Sequence, residues 1–484
     1  MKYEAVIGME VHAQLSTKSK IFCRCGAEIV DREPNTLVCP VCLGMPGVLP
    51  TINRRAIEFS FMTALALECQ VQEGSIWFDR KSYFYPDLPK SYQISQYSSV
   101  IGRDGYLVLE FNGTRKKIGI ADVHVEEDTA RLYHREDGGD RYALVDFNRS
   151  GVPLIEVVSK PDIRSPEEAK RYLQELRKLL RYIDVSTGDL EAGSFRCEAN
   201  ISLRPKAAET MGNRVEIKNM NTFMAVEHAL RSEIDRQTAI LEAGGTVQQQ
   251  TVGWREEWGR TEPQRAKEEA HDYRYFPEPD LPPFVVTQAW IEELRSALPE
   301  LPGAKRDRFM SQYELPLYDA FLLTEDPALA DYFEECARLY PRTKTLSNWI
   351  TGELFRLLKL SGEEIGALKV KPTQLAELLR MVDEGRINIS TAKAVFEEMS
   401  ETGGSAEHII AESDLIQISD VDELDAIVAQ VLSENPEAVG DYLEGKTEVL
   451  RFLVGQVMKV TRGKANPQVV SSVLTDKLKA TNWG

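Results

Sequence analysis

The sequence predicts an α+β protein: a mixed-sheet cradle domain over residues 1–290 with a zinc knuckle inserted at 23–42, an all-α domain over 291–405, and a small helical module over 410–484. Three observations predict it. Strand-like stretches in the first half alternate apolar with polar residues, four cysteines crowd into one short loop, and beyond about Ala289 helix formers broken by Pro and Gly take over. A chain of 484 residues is also too long for one core, so two to four domains are expected.

The first strand candidate is GMEVHAQL, where Glu10 and His12 share one side and Met9 and Val11 the other. Next comes Cys23-x-Cys25 followed by Cys39-x-x-Cys42, a spacing that gathers four thiolates around one tetrahedral zinc, with Gly26, Pro40 and Gly44 suited to the tight turns. Two disulfides are the alternative, and they fit poorly with a chain whose start, MKYEAVIG, reads as neither a signal peptide nor a lipidation motif. A closed four-sulfur site staples a loop and performs no catalysis. Cys69, Cys197 and Cys336 read as ordinary buried thiols.

In VHVEEDTARL a strand puts His124, Glu126 and Asp128 on one face and Val123, Val125 and Glu127 on the other. A solvated acidic run is the plain alternative. Glu156 interrupts the apolar run VPLIEVVS, where an unpaired carboxylate is expensive to bury, so three strand-like segments each offer an inward acid.

RSPEEAKRYLQELRKLLRYI is the clearest helix: Ser165 caps, Pro166 takes the first position and Glu168 completes a capping box. Its apolar stripe runs from Ala169 through Tyr172, Leu173, Leu176, Leu179 and Leu180 to Ile183. RCEANISLR then alternates Cys197, Ala199, Ile201 and Leu203 with Glu198, Asn200, Ser202 and Arg204. VEIKNMNT adds Glu216, Lys218 and, out of phase, Asn219 and Asn221. So many polar-faced strands suggest a lined cavity; a sheet with one wet face is the alternative.

The prolines of YRYFPEPDLPPF mark a domain edge. Beyond it, PTQLAELLRMV and STAKAVFEEM read as short amphipathic helices, and EMSETGGSAEHIIAESD as a hinge before the last module. That module holds GDYLEGKT, which matches the phosphate-loop pattern from Gly440 to Thr447. No buried strand leads into it, and Asp441 and Glu444 put negative charge where phosphates must sit, so the match is read as chance. Lys459, Arg462 and Lys464 in MKVTRGKANP form a basic patch suited to phosphate contact, or a plain solvated loop.

Composition excludes two classes. No apolar run spans a bilayer, so a soluble, cytoplasmic protein is expected. A net charge of -18 argues against nucleic-acid binding through overall charge, and any RNA partner must meet a local basic surface.

GMEVHAQL, the two cysteine pairs, SYFYPDLPKSYQISQY, HVEEDTARL, DFNRSGVPLIEVV, SFRCEANISLRP, VEIKNMN, DYRYFPEPDLPP and LSNWITGEL together resemble the B-subunit family of bacterial aspartyl/glutamyl-tRNA amidotransferases, across essentially the whole chain. The tail resembles that family's C-terminal module. The resemblance implies that the cradle is catalytic and uses ATP and Mg²⁺ to phosphorylate the side-chain carboxylate of Glu-tRNA(Gln) or Asp-tRNA(Asn), after which ammonia displaces phosphate. It implies as partners a glutamine-hydrolysing A subunit, the glutaminase/amidase, and a small C subunit in a heterotrimer, and structural Zn²⁺ in the knuckle.

It also implies metal contact by Glu10, His12, Glu126 and Glu156, with His124 and Asp128 as neighbours and Glu127 left as a structural or solvent-facing acid. His12 would serve as ligand, water holder or proton relay. No Gly-x-Ser-x-Gly elbow appears and the lone cysteines have no obvious histidine partner, so ammonia must come from a partner. Lys81, Tyr83, Asp87 and Lys90 are candidates for lining its passage, or a rigid Pro-braced loop; Lys218 and Asn219 are candidates for contact with nucleotide or aminoacyl group. RNA recognition would fall to the helical part and the tail, including Lys459, Arg462 and Lys464, by shape and 2′-hydroxyls. Two other classes stay open: a zinc-stapled RNA-binding adaptor, which leaves the inward acids unexplained, and a metallohydrolase, which leaves the tail idle.

Overall fold

The computed structural model describes residues 2–111, 114–206, 208, 210–264, 273–412, 421–461, 465 and 467–481. It divides into two compact units, Met1–Pro302 and Gly303–Gly484. In chain order the first holds β1 (Tyr3–Gln14), α1 (Arg54–Ala66), the short β2 (Gln70–Val71), β3 (Gly74–Ile76), β4 (Asp79–Ser82) and β5 (Tyr92–Ser95). The long β6 (Gly102–Phe111) and β7 (Thr114–Glu127), β8 (Arg131–Asp137), β9 (Asp140–Asp146), β10 (Pro153–Ser159) and α2 (Pro166–Tyr182) follow. Then come β11 (Phe195–Pro205), β12 (Val215–Lys218), α3 (Phe223–Glu242), β13 (Gln250–Arg255), β14 (Arg260–Pro263), β15 (Phe276–Pro277), β16 (Phe284–Val286) and α4 (Gln288–Ser296).

Nine strands make one sheet in the order β14-β13-β12-β11-β1-β10-β7-β6-β2. All neighbours pair antiparallel except β12 with β13. Period-2 alternation decides its faces. Met9, Val11, Val123, Val125, Ile155, Val157, Ala199 and Ile201 are fully buried and share one core with residues from α1, α2 and α3. The opposite face keeps the polar members of each strand.

Helix α2 begins as expected, with the Ser165 side chain accepting from the Glu168 N–H and Pro166 at the first position. Glu168 reaches one residue further than a capping box requires, to the Arg164 N–H, and also pairs with Lys116. The whole expected stripe from Ala169 to Ile183 is buried.

The Pro-rich segment is not a domain edge. β15 pairs with β4 and β16 with β3, and the Arg80 guanidinium holds Glu278 through two bonds of 2.6 and 2.8 Å. The segment is a strap folded onto the small strands, which edge-strand prolines permit because only one side needs N–H donors. α4 sends Ile291 and Leu294 into the same core, so the unit continues to Pro302.

The second unit is helical among its described residues and has two cores. One gathers buried residues from Phe309 to Ile410, the other from Leu424 to Leu478. A π turn, Ile350–Leu354, sits within the LSNWITGEL motif. Within the expected hinge, helix Ala406–Glu412 places Ile409 and Ile410 in the first of these cores; 413–420 lie outside the described residues. The phosphate-loop look-alike runs through helix Pro436–Leu443 and is directly preceded by helix Val421–Glu434 rather than by a strand, so it lacks the strand-to-helix context of a nucleotide loop. No described helix is long and apolar enough to cross a membrane.

Candidate active site

Antiparallel register puts directly opposed residues on one face. β1 sets His12 opposite Arg196 of β11 and Glu156 of β10, and β10 sets Glu156 opposite His124 of β7. Four strands thus contribute one row: Arg196, His12, Glu156, His124. Two residues back along β1, Glu10 lies opposite Glu198, which Lys218 of β12 reaches at 2.9 Å.

In the first row His12 Nε2 lies 3.2 Å from Glu156 Oε2 and 3.6 Å from Glu126 Oε1. His124 Nε2 lies 3.0 Å from the same Glu156 oxygen, and its Nδ1 2.9 Å from Asp122. The Glu126 side chain is only 4% exposed and accepts from the Ser95 hydroxyl. Burial pushes the Glu156 carboxyl up, but His124 and His12 on either side hold it well below the usual carboxylate range. Burial likewise opposes charge on His124, yet Glu156 and Asp122 outweigh it and raise the imidazole to about 10.

One ligand atom each from His12, Glu126 and Glu156 fall within 4.8 Å of one another. Among the described residues no lysine or arginine makes contact with either carboxylate; their charged partners are the imidazoles of His12 and His124, whose place a bound divalent cation would take. The two carboxylates suit magnesium or manganese; an imidazole is an unusual partner for magnesium and fits better as holder of a bound water or as a manganese ligand. Glu10 is not in this trio. The structure gathers it instead with Glu198 and Glu216, again within 4.8 Å, where Asn200 donates to it at 2.8 Å. Burial first, then Glu156, Glu198 and Glu216, raise its pKa. A half-open cavity lies beside it, lined by Gly8, Asn200, Ser202 and Arg214.

Of the two readings left open for Glu127 the structure takes the structural one: it is 3% exposed, ion-paired with Lys90 and bonded by the Ile94 N–H at 2.9 Å. Asp128 falls just past the end of β7 and accepts from Gln14 and Arg196, each at 2.8 Å, beside Arg149.

The remaining expected residues divide between two walls. Lys81, on β4, stands 5.1 Å over the Tyr273 ring and senses Glu126 most strongly among its charged neighbours. Tyr83 meets Tyr273 edge to face, and its phenol is raised by burial, then by Asp87. Asp87 Oδ1 finds no hydrogen-bond partner among the described residues. Lys90 and Glu127 line a cavity that also touches Cys23 and Cys42. Lys218 bridges Glu198 and Glu216, while Asn219 ends β12 exposed, at φ 65°. Lys459 lies in the last turn of helix Val449–Val460; Arg462 and Lys464 fall outside the described residues.

The sulfurs of Cys23, Cys25, Cys39 and Cys42 also lie within 4.8 Å of one another, with Cys39 and Cys42 3.9 Å apart. Four sulfurs bound to zinc at about 2.3 Å in a tetrahedron are about 3.8 Å apart, so the cluster fits the metal. Hydrogen bonding from Cys23 drives the Cys42 thiol down to about 4, the thiolate form a metal takes, helped by Cys39 and the fully buried Lys20, whose ammonium lies 3.6 Å away. Gly44, at φ 62°, lets the knuckle close on Lys90, since a Cβ would come within 2.4 Å of that side chain. All seven cysteines are free thiols.

Sequence reasoning missed Arg196 and the grouping of Glu198 and Glu216 with Glu10. Their alternation was legible, but only register brings them together. Tyr273 and Tyr275 were also missed, because the strap carries them back from far along the chain.

The GatB/GatE catalytic domain model matches residues 5–292, and the GatB domain model residues 331–478. Relatives from Carboxydothermus hydrogenoformans, Thermoanaerobacter pseudethanolicus and Moorella thermoacetica are each 52% identical over 478 residues. The match covers 99% of this chain and 99 to 100% of theirs, and each is called the B subunit of aspartyl/glutamyl-tRNA(Asn/Gln) amidotransferase.

Proposed function

Since the chain belongs to the GatB/GatE catalytic-domain family, we propose that it activates the side-chain carboxylate of Glu-tRNA(Gln) or Asp-tRNA(Asn) with ATP and converts it to the amide with ammonia from a partner glutaminase. The observation that carries the reading is the convergence of His12, Glu126 and Glu156 on the polar face of the sheet, beside Glu10.

A carboxylate is a poor electrophile, so an acyl phosphate must form first, and the protein's task is to position both substrates and manage phosphate charge. His12, Glu126 and Glu156 would hold Mg²⁺, which offsets the charge of the phosphates when bound, with Glu10 on the adjacent row as a further acid toward the same ion. His124 and Asp122 fix Glu156 from the far side, so its carboxylate keeps one orientation. The cavity over Gly8 and Asn200 leaves room for nucleotide next to Glu10. Lys218, which reaches Glu198 and Glu216, and Asn219 would contact the nucleotide or the aminoacyl group.

Ammonia must reach the acyl phosphate unprotonated. Lys81, Tyr83, Asp87 and Lys90 would line its passage from the glutamine-hydrolysing A subunit, with the Lys90–Glu127 pair in its wall. The four-cysteine knuckle would carry a structural zinc that holds this wall through Gly44 and Lys20. The cradle, over about residues 1–290, would perform the chemistry, with the helical domain and tail reading tRNA through contacts that include Lys459, Arg462 and Lys464. The A and C subunits would complete a heterotrimer.

The test mixes the assembled complex with ATP, magnesium, glutamine and misacylated tRNA. Glu126→Gln abolishes amide formation while tRNA binding survives. ATP hydrolysis independent of tRNA would favour a metallohydrolase, and binding without turnover an RNA adaptor.

A further inference from the structure

The row that holds His12, Glu156 and His124 begins with Arg196, which has no part in the metal trio. Arg196 stands directly opposite His12 across the β1–β11 ladder, on the same polar face. Its side chain is 34% exposed, whereas the Asp128 it pairs with is 3% exposed.

Asp128 is fully used. One oxygen accepts the Thr129 N–H at 2.9 Å and faces Arg149 Nε at 3.6 Å; the other accepts from Gln14 and from Arg196 Nη2, each at 2.8 Å. The two arginines around it differ. Arg149 spends its guanidinium on the carbonyls of Thr129 and Ala130, at 2.8 and 2.9 Å, and so works as a structural brace. Arg196 has one terminal nitrogen anchored on Asp128, stands opposite His12 and senses the Glu126 charge, and among the described residues no other hydrogen bond takes its guanidinium.

Charge supplies the reason such a group is needed. Glu10, Glu126, Glu156, Glu198 and Glu216 crowd this face, and a phosphoryl group brought among them meets strong repulsion. The other charged groups on these rows are already committed, Lys218 to Glu198 and Glu216 and His124 to Glu156 and Asp122. A guanidinium stays charged at any working pH, and its fork matches two phosphoryl oxygens at once.

We propose that Arg196 is a catalytic residue that donates its remaining guanidinium N–H groups to the phosphoryl group in transfer, with Asp128 as the positioning residue that aims it. The inference rests on the phosphoryl-transfer reading. In that step a carboxylate oxygen bonds to the terminal phosphorus of ATP as the bond to the bridging oxygen breaks, and ADP departs with the electron pair. Ammonia then bonds to the acyl carbon, phosphate leaves with its electrons, and nitrogen sheds one proton to phosphate or solvent. Arg196 holds the equatorial oxygens through the first displacement and the departing phosphate through the second.

The experiment uses the full complex with saturating ATP, glutamine and Glu-tRNA(Gln) or Asp-tRNA(Asn), and compares Arg196→Ala, Arg196→Lys, Asp128→Asn and Glu126→Gln. Arg196→Ala lowers single-turnover amide formation by about a hundred- to a thousand-fold, with tRNA affinity unchanged. Hydroxylamine trapping of the acyl phosphate falls in parallel. Added guanidinium ion restores roughly tenfold or more of the Arg196→Ala rate, a readout that a merely structural arginine does not give. Arg196→Lys keeps more activity than Arg196→Ala and guards against a variant lost to misfolding, and Asp128→Asn falls in kcat with less effect on the KM for ATP. A rate in Arg196→Ala within about threefold of the parent, or a loss that guanidinium leaves untouched, overturns the proposal. If Glu126→Gln is inactive while Arg196→Ala is not, only the role of Arg196 falls; if Glu126→Gln is fully active, the phosphoryl-transfer reading falls with it.

Discussion

Replacing Cys39 by serine tests the knuckle. Zinc on four sulfurs ties Cys25 to Cys39 and so closes a loop of about fifteen residues, whose closure removes about 3 kcal/mol of chain entropy from the open state. The loop keeps other anchors: Asn148 accepts from the Leu37 N–H and donates to the Glu33 carbonyl, each at 2.8 Å, and Asn35 holds Val145 and Phe147. Losing the metal therefore opens the knuckle locally and leaves the sheet intact. A change of about 3 kcal/mol raises the open population by about a hundredfold. When reclosing outpaces cleavage, protease attack tracks that population, so trypsin should cut after Arg24 about a hundred times faster in Cys39→Ser than in the parent chain. Metal analysis of the reduced parent should find one zinc per chain. A metal-free parent, or a variant cleaved at the parent rate, refutes the reasoning.

Arg80→Ala strands the Glu278 carboxylate, whose side chain has no exposure, and should lower stability by about 3 kcal/mol, read as a drop of several degrees in the thermal transition of the first unit. Adding Glu278→Gln should recover part of that loss. If Lys81, Asp87 and Lys90 line the ammonia passage, Lys81→Met should slow glutamine-supported amide formation more than the reaction fed with ammonium salt; equal loss with both donors removes Lys81 from the passage. In the helical unit, partial burial pushes Glu334 up while Arg308 and Lys305 hold it below its usual value. A depressed folded pKa gives stability that is present above the unfolded value of about 4.3 and lost as pH falls through the folded one, so Glu334→Gln should flatten the acid limb of that unit's melting curve.

What the sequence made legible was alternation, and what it concealed was register. Glu10 and His12 against Met9 and Val11, or Glu198 and Asn200 against Ala199 and Ile201, follow from a two-residue period. Which strand lies beside which does not, because pairing is decided by the whole core; hence Glu10 falls with Glu198 and Glu216, and Arg196 meets His12. The cysteine cluster was readable because its ligands lie within one short segment. The acid at 127 stayed open between a structural and a solvent-facing role because its partner Lys90 lies in a turn far from it in sequence, and the strap was taken for a boundary because proline content speaks against regular structure without saying where an irregular segment docks.

The long antiparallel ladders behave like a reading frame. Dropping one residue from β1 between Val6 and His12 would turn the outward pair inward and swap imidazole for methyl groups along the row, erasing the chemistry while leaving composition almost unchanged. The β8–β9 hairpin tolerates the opposite edit: its tip, Gly138 and Gly139, already turns through positive φ with open space where Cβ atoms would go. Length in this protein is thus elastic at hairpin tips and rigid within strands, which marks the tip as the place to graft a reporter and the strand as the place where a single codon deletion is lethal to function.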